Sequence, residues 1–148
     1  MRPRPLPDDA LRGIMFRSDL EGIKAEHLVG FFVGWPDPPT PQRHLEILAA
    51  SHGIEIAVDE STGHVVGFIN AISDGLLTAY IPLLEVLPEY QGRGIARVLI
   101  DQLLARYRDL YMIDLCCDEE VVPIYEPRGF KRSIGMVLRN YDRQSAGV

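Results

Sequence analysis

The stretch Val86-Leu87-Pro88-Glu89-Tyr90-Gln91-Gly92-Arg93-Gly94-Ile95-Ala96 decides the fold of this 148-residue chain. An apolar run ends there, two glycines and an arginine follow, and a sequence with helical apolar spacing begins at once. A tight loop between a buried strand and a helix directs free backbone N–H groups and the positive end of the helix dipole into one small volume. Gly92 and Gly94 allow the backbone to approach a ligand closely, and Arg93 can add charge-assisted hydrogen bonds. The stretch therefore predicts an anion site, and a pyrophosphate fits it best.

Two common phosphate-binding loops do not match this stretch. A P-loop requires Gly-Lys-Ser or Gly-Lys-Thr, and neither occurs in the chain. The dinucleotide-binding fingerprint requires a third small residue at the position of Val98. A glycine pair before a helix can also serve only the start of that helix, so the surrounding sequence has to decide between the two interpretations.

The sequence before the loop predicts two helices followed by an antiparallel meander. The predicted elements are a strand over residues 11–17, a helix over 18–30, a loop over 34–39, a helix from 40 to about 53, and strands over 54–59, 65–73 and 77–87. Ser18 and Glu21 form a capping-box pattern, and Thr40 followed by Pro41 is typical of a helix start. Pro82 lies inside the last strand and predicts a local break in its pairing.

The sequence after the loop predicts alternating helices and strands. The expected elements are a helix over residues 94–108, a buried strand over 112–117, a short helix over 119–128, and one or two final strands over 130–140. No internal repeat or linker divides the chain, and we predict one domain over residues 1–148 with residues 1–9 as a flexible arm.

Charge and composition exclude several classes of protein. The chain has 47% apolar residues, 15 Lys and Arg, 21 Asp and Glu, and a net charge of −6. This balance argues against nucleic-acid binding, which needs a dense phosphate-neutralising surface, and fits a cationic partner better. The sequence contains neither a membrane-spanning apolar run nor a signal peptide, so we expect no membrane association and a cytoplasmic location.

The residues that usually bind metals show no pattern typical of a metal site. The two cysteines, Cys116 and Cys117, are adjacent, which excludes a disulfide framework and the paired spacing of a zinc site. We expect both to be buried as small hydrophobic residues. The four histidines have no ligand spacing, and we predict that they lie at the surface or cap helices. We expect no metal cofactor.

Two motifs resemble those of the GNAT family of acyl-CoA-dependent N-acetyltransferases. Gln91-x-x-Gly94-x-Ala96 matches the family's Gln/Arg-x-x-Gly-x-Gly/Ala motif, and it directly follows a buried strand. Tyr125-Glu126-Pro127-Arg128-Gly129-Phe130 is similar to the family's second motif, on a short helix. The resemblance covers residues 54–141. It implies an α/β fold with a mixed, mostly antiparallel central sheet of about six to seven strands and helices on both faces.

The resemblance also implies a co-substrate, acetyl-CoA, and the residues that bind it. The pyrophosphate would be held by the loop residues Gln91, Gly92, Arg93, Gly94, Ile95 and Ala96, mostly through backbone N–H groups. The main chain of Leu84 and Val86 would pair with the pantetheine arm as an added strand, at a bulge where two strands separate. Tyr125 occupies the position of the family's usual general acid, although a purely structural role in packing on the sheet is the alternative.

The chain departs from the family pattern at two positions. Asp118 stands seven residues before Tyr125, where the family often has a pantetheine-binding Asn, and an ionised Asp accepts hydrogen bonds but cannot donate them. Leu83 stands where the family often has an acidic residue, so the nearest carboxylate is Glu85. Strand alternation directs Glu85 to the substrate side, where it would act as general base or bind the substrate. Trp35 would either form a wall of the acceptor pocket or fix the proline-rich loop to the core.

The implied activity is transfer of an acetyl group from acetyl-CoA to a primary amine by direct attack in a ternary complex. No acyl-cysteine is expected, because no histidine lies near the cysteines in sequence to activate them. A non-catalytic acyl-CoA-binding sensor or regulatory module would keep the loop and is the main alternative. A third possibility is acetylation of protein lysines or N-termini. The acceptor would be a small molecule or a peptide, and a homodimer is possible.

Overall fold

A six-stranded sheet forms the core of the computed structural model, which describes residues 9–147; residues 1–8 of the arm predicted over residues 1–9 lie outside the described residues. The strands are β1 (Ile14–Arg17), β2 (Gly53–Asp59), β3 (Val65–Ser73), β4 (Thr78–Ile81), β5 (Leu84–Val86) and β6 (Met112–Leu115). The α-helices are α1 (Pro41–Ala50), α2 (Ile95–Tyr107) and the single turn α3 (Val122–Tyr125). Short 3-10 turns cover Ala25–Leu28, Pro88–Tyr90, Glu119–Val121, Glu126–Arg128 and Tyr141–Arg143. No helix in residues 9–147 is long and apolar enough to cross a membrane.

The sheet has the predicted mixed, mostly antiparallel topology. Its strand order is β1-β2-β3-β4-β6, and β5 pairs with β3 beyond the end of β4. The β4–β6 pair alone is parallel, because α2 carries the chain back before β6 begins. The prediction of an α/β fold with a six- to seven-stranded sheet is therefore confirmed.

The predicted break at Pro82 separates β4 from β5 and opens the sheet. β3 pairs with both strands in turn, Ile72 with Tyr80 on β4 and Gly67 with Val86 on β5. Among residues 9–147, β6 pairs only with β4, over Thr78–Ile81. A gap therefore opens between β5 and the chain that continues beyond β6.

Helices cover both faces of the sheet. A Cβ atom added to Gly67 would lie 3.1 Å from Ile95 and 3.2 Å from Leu99, so this glycine lets α2 approach β3 closely. On the other face, the ring of Phe68 lies 4.4 Å from that of His44 on α1 and 5.1 Å from that of Phe31. By strand pairing, Glu85 shares the α1 face with Phe68.

The prediction of a helix over residues 18–30 is wrong, because the residue expected to be its N-cap forms hydrogen bonds with a distant residue instead. The Ser18 hydroxyl donates to the carboxylate of the buried Glu55, at 2.7 and 2.9 Å, instead of capping a helix. Gly22 follows at φ 76°, a left-handed conformation that interrupts a right-handed helix. Only the 3-10 turn Ala25–Leu28 forms. The first strand is also shorter than predicted, because a turn occupies residues 9–13.

The end of the chain differs most from the prediction. Residues 131–140 form no strand and are exposed, although one or two strands were expected over 130–140. The short helix breaks into three single turns, with prolines at positions 123 and 127 removing backbone donors. β6 ends at Leu115, so Cys116 and Cys117 lie beyond it and are exposed rather than buried.

His44 is a buried histidine, contrary to the predicted surface or capping role. It is 1% exposed, among the rings of Phe31, Phe32 and Phe68. Neither ring nitrogen has a hydrogen-bond partner among the described residues. Burial disfavours the charged form and lowers the pKa of His44 from 6.5 to about 4.

We expect this histidine to make the protein sensitive to acid. Below pH 6.5 the histidine of the unfolded chain binds a proton, whereas His44 in the folded protein binds one only near pH 4. The free energy of unfolding therefore decreases as the pH falls from 6.5 to about 4. The shift corresponds to about 3 kcal/mol. Urea denaturation at pH 7 and at pH 4 measures the loss, and His44→Phe should reduce it by about that amount. An equal acid-induced loss in the variant would contradict the assignment.

Candidate functional site

Three hydrogen bonds fix the loop between β5 and α2, and two of them reach residues of the sheet. The backbone N–H of Gln91 donates to the carbonyl of Pro88, and its side-chain amide donates to the carbonyl of Val86 at 3.0 Å. The Tyr90 hydroxyl donates to the Asp59 carboxylate at 2.6 Å. These bonds hold the loop in one conformation before a ligand binds.

Consecutive backbone N–H groups remain free in this loop. Gly92 and Gly94 adopt left-handed conformations, φ 79° and 89°, and Gly94 is the N-cap of α2. After Gln91, the next amide that donates is that of Val98, to the Gly94 carbonyl. The amides of residues 92–97 thus have no acceptor within the described part of the chain, as expected for a loop that leads into the first turn of a helix. Six unpaired donors beside a helix N-terminus form a site for an anion.

A cavity of about 330 Å³ lies over these amides. It is lined by Val86, Tyr90, Gln91, Gly92, Gly94, Ile95, Ala96, Arg97 and Ile124. Arg97 supplies positive charge, and no lining residue is acidic. Ile124 directly precedes Tyr125, so α3 closes the side of the cavity opposite the loop. Neither Ile124 nor Arg97 is among the site residues predicted from the sequence.

The side chain of Arg93 points away from this cavity. Its guanidinium donates to the carbonyls of Ala10 at 2.7 Å and Arg12 at 3.0 Å, and thereby ties the loop to the turn before β1. The prediction that the Arg93 side chain adds charge-assisted bonds to an anion is therefore corrected, because these two carbonyls bind its guanidinium, and Arg93 is not among the residues that line the cavity. Carbonyls 81 and 83 residues earlier in the chain could not be identified from sequence.

The backbone of β5 offers free hydrogen-bonding groups to the gap in the sheet. Leu87 donates its N–H to the carbonyl of Val66, and Asn70 donates to the carbonyl of Leu83. In an antiparallel ladder the residues that bond to the partner strand alternate. The N–H and C=O groups of Leu84 and the N–H of Val86 therefore face away from β3, toward the gap beside β6, whereas the Val86 carbonyl accepts the Gln91 side-chain amide. An extended ligand can add to this edge as a strand does.

Tyr125 lies at the far side of the same region and is 5% exposed. Its ring packs edge-on against Phe130 at 5.4 Å. Burial is the main cause that raises the pKa of the Tyr125 phenol to about 12, the neighbouring Cys117 raises it further, and Arg128 opposes them. The hydroxyl therefore stays protonated at neutral pH and can act as a proton donor. The influence of Cys117 shows that the phenol lies near the chain leaving β6.

Glu85 and Trp35 are brought together by one turn. The half-buried Glu85 carboxylate accepts the backbone N–H groups of Phe32 at 2.8 Å and Val33 at 3.3 Å. Phe32 has φ 62°, and its carbonyl accepts the N–H of Trp35. The Trp35 ring is partly exposed, 4.9 Å from that of Phe32. The carboxylate thus anchors a strained turn on the α1 face, a role that its sequence position did not indicate.

Asp118 lies where the chain leaves β6 and enters the 3-10 turn before α3. It is exposed, and its backbone carbonyl accepts the N–H of Val121. Its carboxylate makes no hydrogen bond to residues 9–147. Across the same residues no cluster of three or more His, Cys, Asp and Glu side chains could hold a metal ion.

Comparison with known proteins agrees with this geometry. A model of the acetyltransferase (GNAT) family matches residues 20–130. The chain is 30% identical over 137 residues to histone acetyltransferase TAP1 of Glycine max, covering 84% of this chain and 59% of that protein. It is 27% identical over 154 residues to the chloroplastic GCN5-related N-acetyltransferase 2 of Arabidopsis thaliana, covering 86% and 57%. The chain therefore spans less than two thirds of the length of these curated relatives.

Solved structures show the same fold over nearly the whole chain. A candidate acetyltransferase from Deinococcus radiodurans R1 superposes with a TM-score of 0.88 at 44% identity, covering 100% of this chain and 99% of that one. A GNAT-family acetyltransferase from Streptococcus pneumoniae superposes with a TM-score of 0.69 at 28% identity, covering 86% and 98%. With the family model matching most of the chain, these comparisons establish that the chain belongs to the GNAT acetyltransferase family.

Proposed function

We propose that this protein transfers the acetyl group of acetyl-CoA to a primary amine by direct attack in a ternary complex, and that the chain acts as one acyltransferase domain. The observation that carries the proposal is the continuous site formed by six free loop amides, the open edge of β5 and the buried Tyr125. A pyrophosphate, an extended thioester arm and a departing thiolate require these three features in that order.

The backbone would bind the co-substrate. The amides of residues 92–97 and the N-terminus of α2 would hold the pyrophosphate of coenzyme A, with Arg97 adding positive charge. Leu84 and Val86 would pair with the pantetheine amides through the groups that face the gap. The Val86 N–H would polarise the thioester carbonyl and stabilise the negative charge that develops on its oxygen. Asp118 stands near the end of this path and would meet the arm only through an acceptor.

Two side chains would move the protons. Tyr125, held protonated by burial, would donate its proton to the departing thiolate. Glu85 would accept the amine proton through a water molecule. Its carboxylate already accepts two backbone N–H groups, but a carboxylate has about four lone-pair sites, so a water can still bind.

The cysteines do not support a covalent route. Partial burial, followed by the neighbouring Asp118, raises the pKa of the Cys117 thiol. A thiol of this kind is a weak nucleophile at neutral pH, since the thiolate is the reactive form. Two exposed free cysteines are also compatible with a reducing compartment, which supports the proposed cytoplasmic location.

The acceptor would bind on the α1 face, beside Glu85 and Trp35. A cationic amine suits the net charge of −6 and the carboxylate at this position. The partly exposed Trp35 ring could contact a cation or an apolar chain. Because one relative is a histone acetyltransferase, lysine peptides belong in the test together with small amines.

Calorimetric titration with acetyl-CoA, combined with a thiol-release assay over a panel of polyamines, amino sugars and lysine peptides, tests the proposal. We expect binding of acetyl-CoA and release of coenzyme A with at least one class of amine. Binding without turnover on any amine would favour the non-catalytic acyl-CoA-binding module. Absence of binding would overturn both interpretations.

Replacing Glu85 with glutamine separates its two roles. A glutamine carbonyl can still accept an N–H of the turn but cannot take a proton, so we expect kcat to fall about 10²-fold with little change in the KM for acetyl-CoA. Glu89→Gln, on the exposed 3-10 turn nearby, is the matched control and should keep full activity. If Glu85→Gln retains the wild-type kcat and pH profile, the carboxylate only anchors the turn.

A further inference from the structure

A second cavity, of about 460 Å³, opens beside the loop between β5 and α2. It shares no lining residue with the cavity over the loop amides, and it is the larger of the two. Its lining residues come from the start of β1, the end of β2 and the loop: Arg12, Gly13, Ile14, Asp59, Glu60, Ser61 and Arg93. The proposed transfer of an acetyl group gives this second cavity no role.

The paired ends of two strands form the floor of the second cavity. Ile14 on β1 pairs with Asp59 on β2, and one step further the Glu60 N–H donates to the Gly13 carbonyl at 2.9 Å. The Asp59 carboxylate is fixed in turn, because it accepts the Ser61 N–H at 2.9 Å and the Ser61 hydroxyl at 2.6 Å. A cavity whose floor belongs to a sheet is formed before a ligand enters it, as ligand sites usually are.

Arg93 forms the wall of the second cavity toward the loop. Its Nε and Nη2 donate to the carbonyls of Ala10 and Arg12, and its guanidinium carbon lies 5.7 Å from the centre of the Tyr90 ring. Its third nitrogen, Nη1, donates to no acceptor in the described part of the chain. The guanidinium is therefore held in place with one nitrogen left to bind a ligand.

Two opposite charges at the second cavity have no partner within residues 9–147. The Arg12 guanidinium and the Glu60 carboxylate are exposed, and they pair neither with each other nor with any other described side chain. Four other arginines each pair with a carboxylate: Arg17, Arg43, Arg128 and Arg132. A positive and a negative group thus border one cavity without contact, and the space between them can hold a small charged molecule.

The charges around the second cavity select a zwitterion. Arg12 and Arg93 would repel a cation such as a polyamine, and Asp59 and Glu60 would repel an anion such as phosphate. A molecule that carries both an ammonium and a carboxylate finds a group of opposite sign for each. The half-buried Ile14 adds an apolar surface. An α-amino acid has both charged groups and a side chain that can contact this surface.

Two contacts connect the second cavity to the loop amides. Arg93 belongs to the loop, and its side chain lies in the wall of the cavity. Tyr90 lines the cavity over the amides, and its hydroxyl donates to Asp59 on the floor of the second cavity at 2.6 Å. A ligand that holds Arg93 in place leaves residues 92–97 less freedom to move. An anion that then binds their amides loses less conformational entropy.

We propose that the second cavity binds a free α-amino acid, with its carboxylate on Arg12 and Nη1 of Arg93 and its ammonium on Glu60, and that this binding raises the affinity of the loop for coenzyme A. The amino-acid site is independent of acetyl transfer, whereas the effect on coenzyme A rests on the proposed function. The protein would then bind its co-substrate more tightly when free amino acids are abundant.

Thermal unfolding in the presence of each standard α-amino acid is the first test. At about ten times its dissociation constant, the amino acid that binds should raise the melting temperature by about 3 °C or more. The amide of that amino acid lacks the carboxylate, and its N-acetyl derivative lacks the ammonium, so both should give a much smaller shift. The absence of a shift with every amino acid, or equal shifts with both derivatives, would overturn the proposal.

Calorimetric titration with the amino acid that binds tests its two charged partners. Arg12→Gln and Glu60→Gln should each weaken binding about tenfold, because each removes one charge-assisted contact. Arg108→Gln, at the end of α2, and Glu120→Gln, in the 3-10 turn before α3, replace exposed charges elsewhere and should bind the amino acid as the wild type does. All four side chains are exposed, so the variants should fold. Wild-type affinity in Arg12→Gln and Glu60→Gln would contradict the site.

Coenzyme A tests the coupling, because it carries no acetyl group and cannot consume the amino acid. With the second cavity saturated, the Kd of coenzyme A should fall about fivefold, and coenzyme A should lower the Kd of the amino acid by the same factor. Arg12→Gln should bind coenzyme A alone as the wild type does, and the same concentration of amino acid should have a smaller effect. An amino acid that binds without changing the Kd of coenzyme A would overturn the coupling. A protein that binds the amino acid but no coenzyme A would overturn the proposed acetyl transfer and confirm the amino-acid site.

Discussion

Valine at position 94 is expected to weaken acetyl-CoA binding by about 10²-fold or more. Gly94 adopts φ 89° at the start of α2 and directs its own amide and those beside it into the cavity. A β-branched residue avoids this left-handed conformation and would also place methyl groups beside the site. If two hydrogen bonds to the charged pyrophosphate are lost, at about 1.5–3 kcal/mol each, the dissociation constant rises by at least that factor.

The control for Gly94→Val is Gly63→Val. Gly63 lies in the β2–β3 turn at φ 73° with no atom near its Cβ position, so the substitution causes similar backbone strain far from the site. Both variants should therefore lose some thermal stability, but only Gly94→Val should lose affinity in calorimetric titration. A folded Gly94→Val protein that binds acetyl-CoA with wild-type affinity would show that this glycine serves only the helix start.

The elements predicted most accurately are those that are determined by residues close to one another in the sequence. The predicted bounds of β3, residues 65–73, are those observed, because turn residues flank an apolar run on both sides. Thr40 caps α1 as expected, accepting the N–H of Arg43 at 3.1 Å. The break at Pro82 followed from a single missing backbone donor. In each case the deciding interaction spans only a few residues.

The errors arise where a distant contact overrides the local pattern. Ser18 has the sequence of a helix cap, yet its hydroxyl bonds to Glu55, 37 residues away. Apolar and polar residues alternate over residues 130–140, as they do in a strand. A strand forms only where the edge of a sheet is available to pair with it, and the local sequence does not show whether such an edge is available. Local propensity predicts what a segment can form, and tertiary structure decides whether it does.

The candidate site divides in the same way. The free amides of the loop could be predicted, because glycines before an apolar helix produce them regardless of the remaining fold. The destinations of the long side chains could not be predicted. Arg93 reaches the carbonyls of Ala10 and Arg12, and Glu85 anchors a turn 52 and 53 residues earlier in the chain.

Phenylalanine at position 125 is expected to lower kcat by about 10²- to 10⁴-fold while acetyl-CoA still binds with nearly wild-type affinity. The substitution keeps the ring that packs against Phe130 and removes only the hydroxyl that would protonate the thiolate. Tyr107→Phe is the matched control, since Tyr107 is also buried but its hydroxyl contacts His52, away from the cavity. That variant should keep full kcat.

The pH profile provides an independent readout of the same role. Burial raises the pKa of Tyr125 to about 12. The phenol therefore keeps its proton, and stays neutral, throughout the neutral and moderately alkaline pH range. The wild-type kcat should therefore not decline through deprotonation of Tyr125 up to about pH 10, which is still two pH units below that pKa. A decline near pH 9 that disappears in Tyr125→Phe would contradict the raised pKa. An unchanged kcat in Tyr125→Phe would contradict the acid role itself, and the tyrosine would then serve only to pack α3 against the sheet.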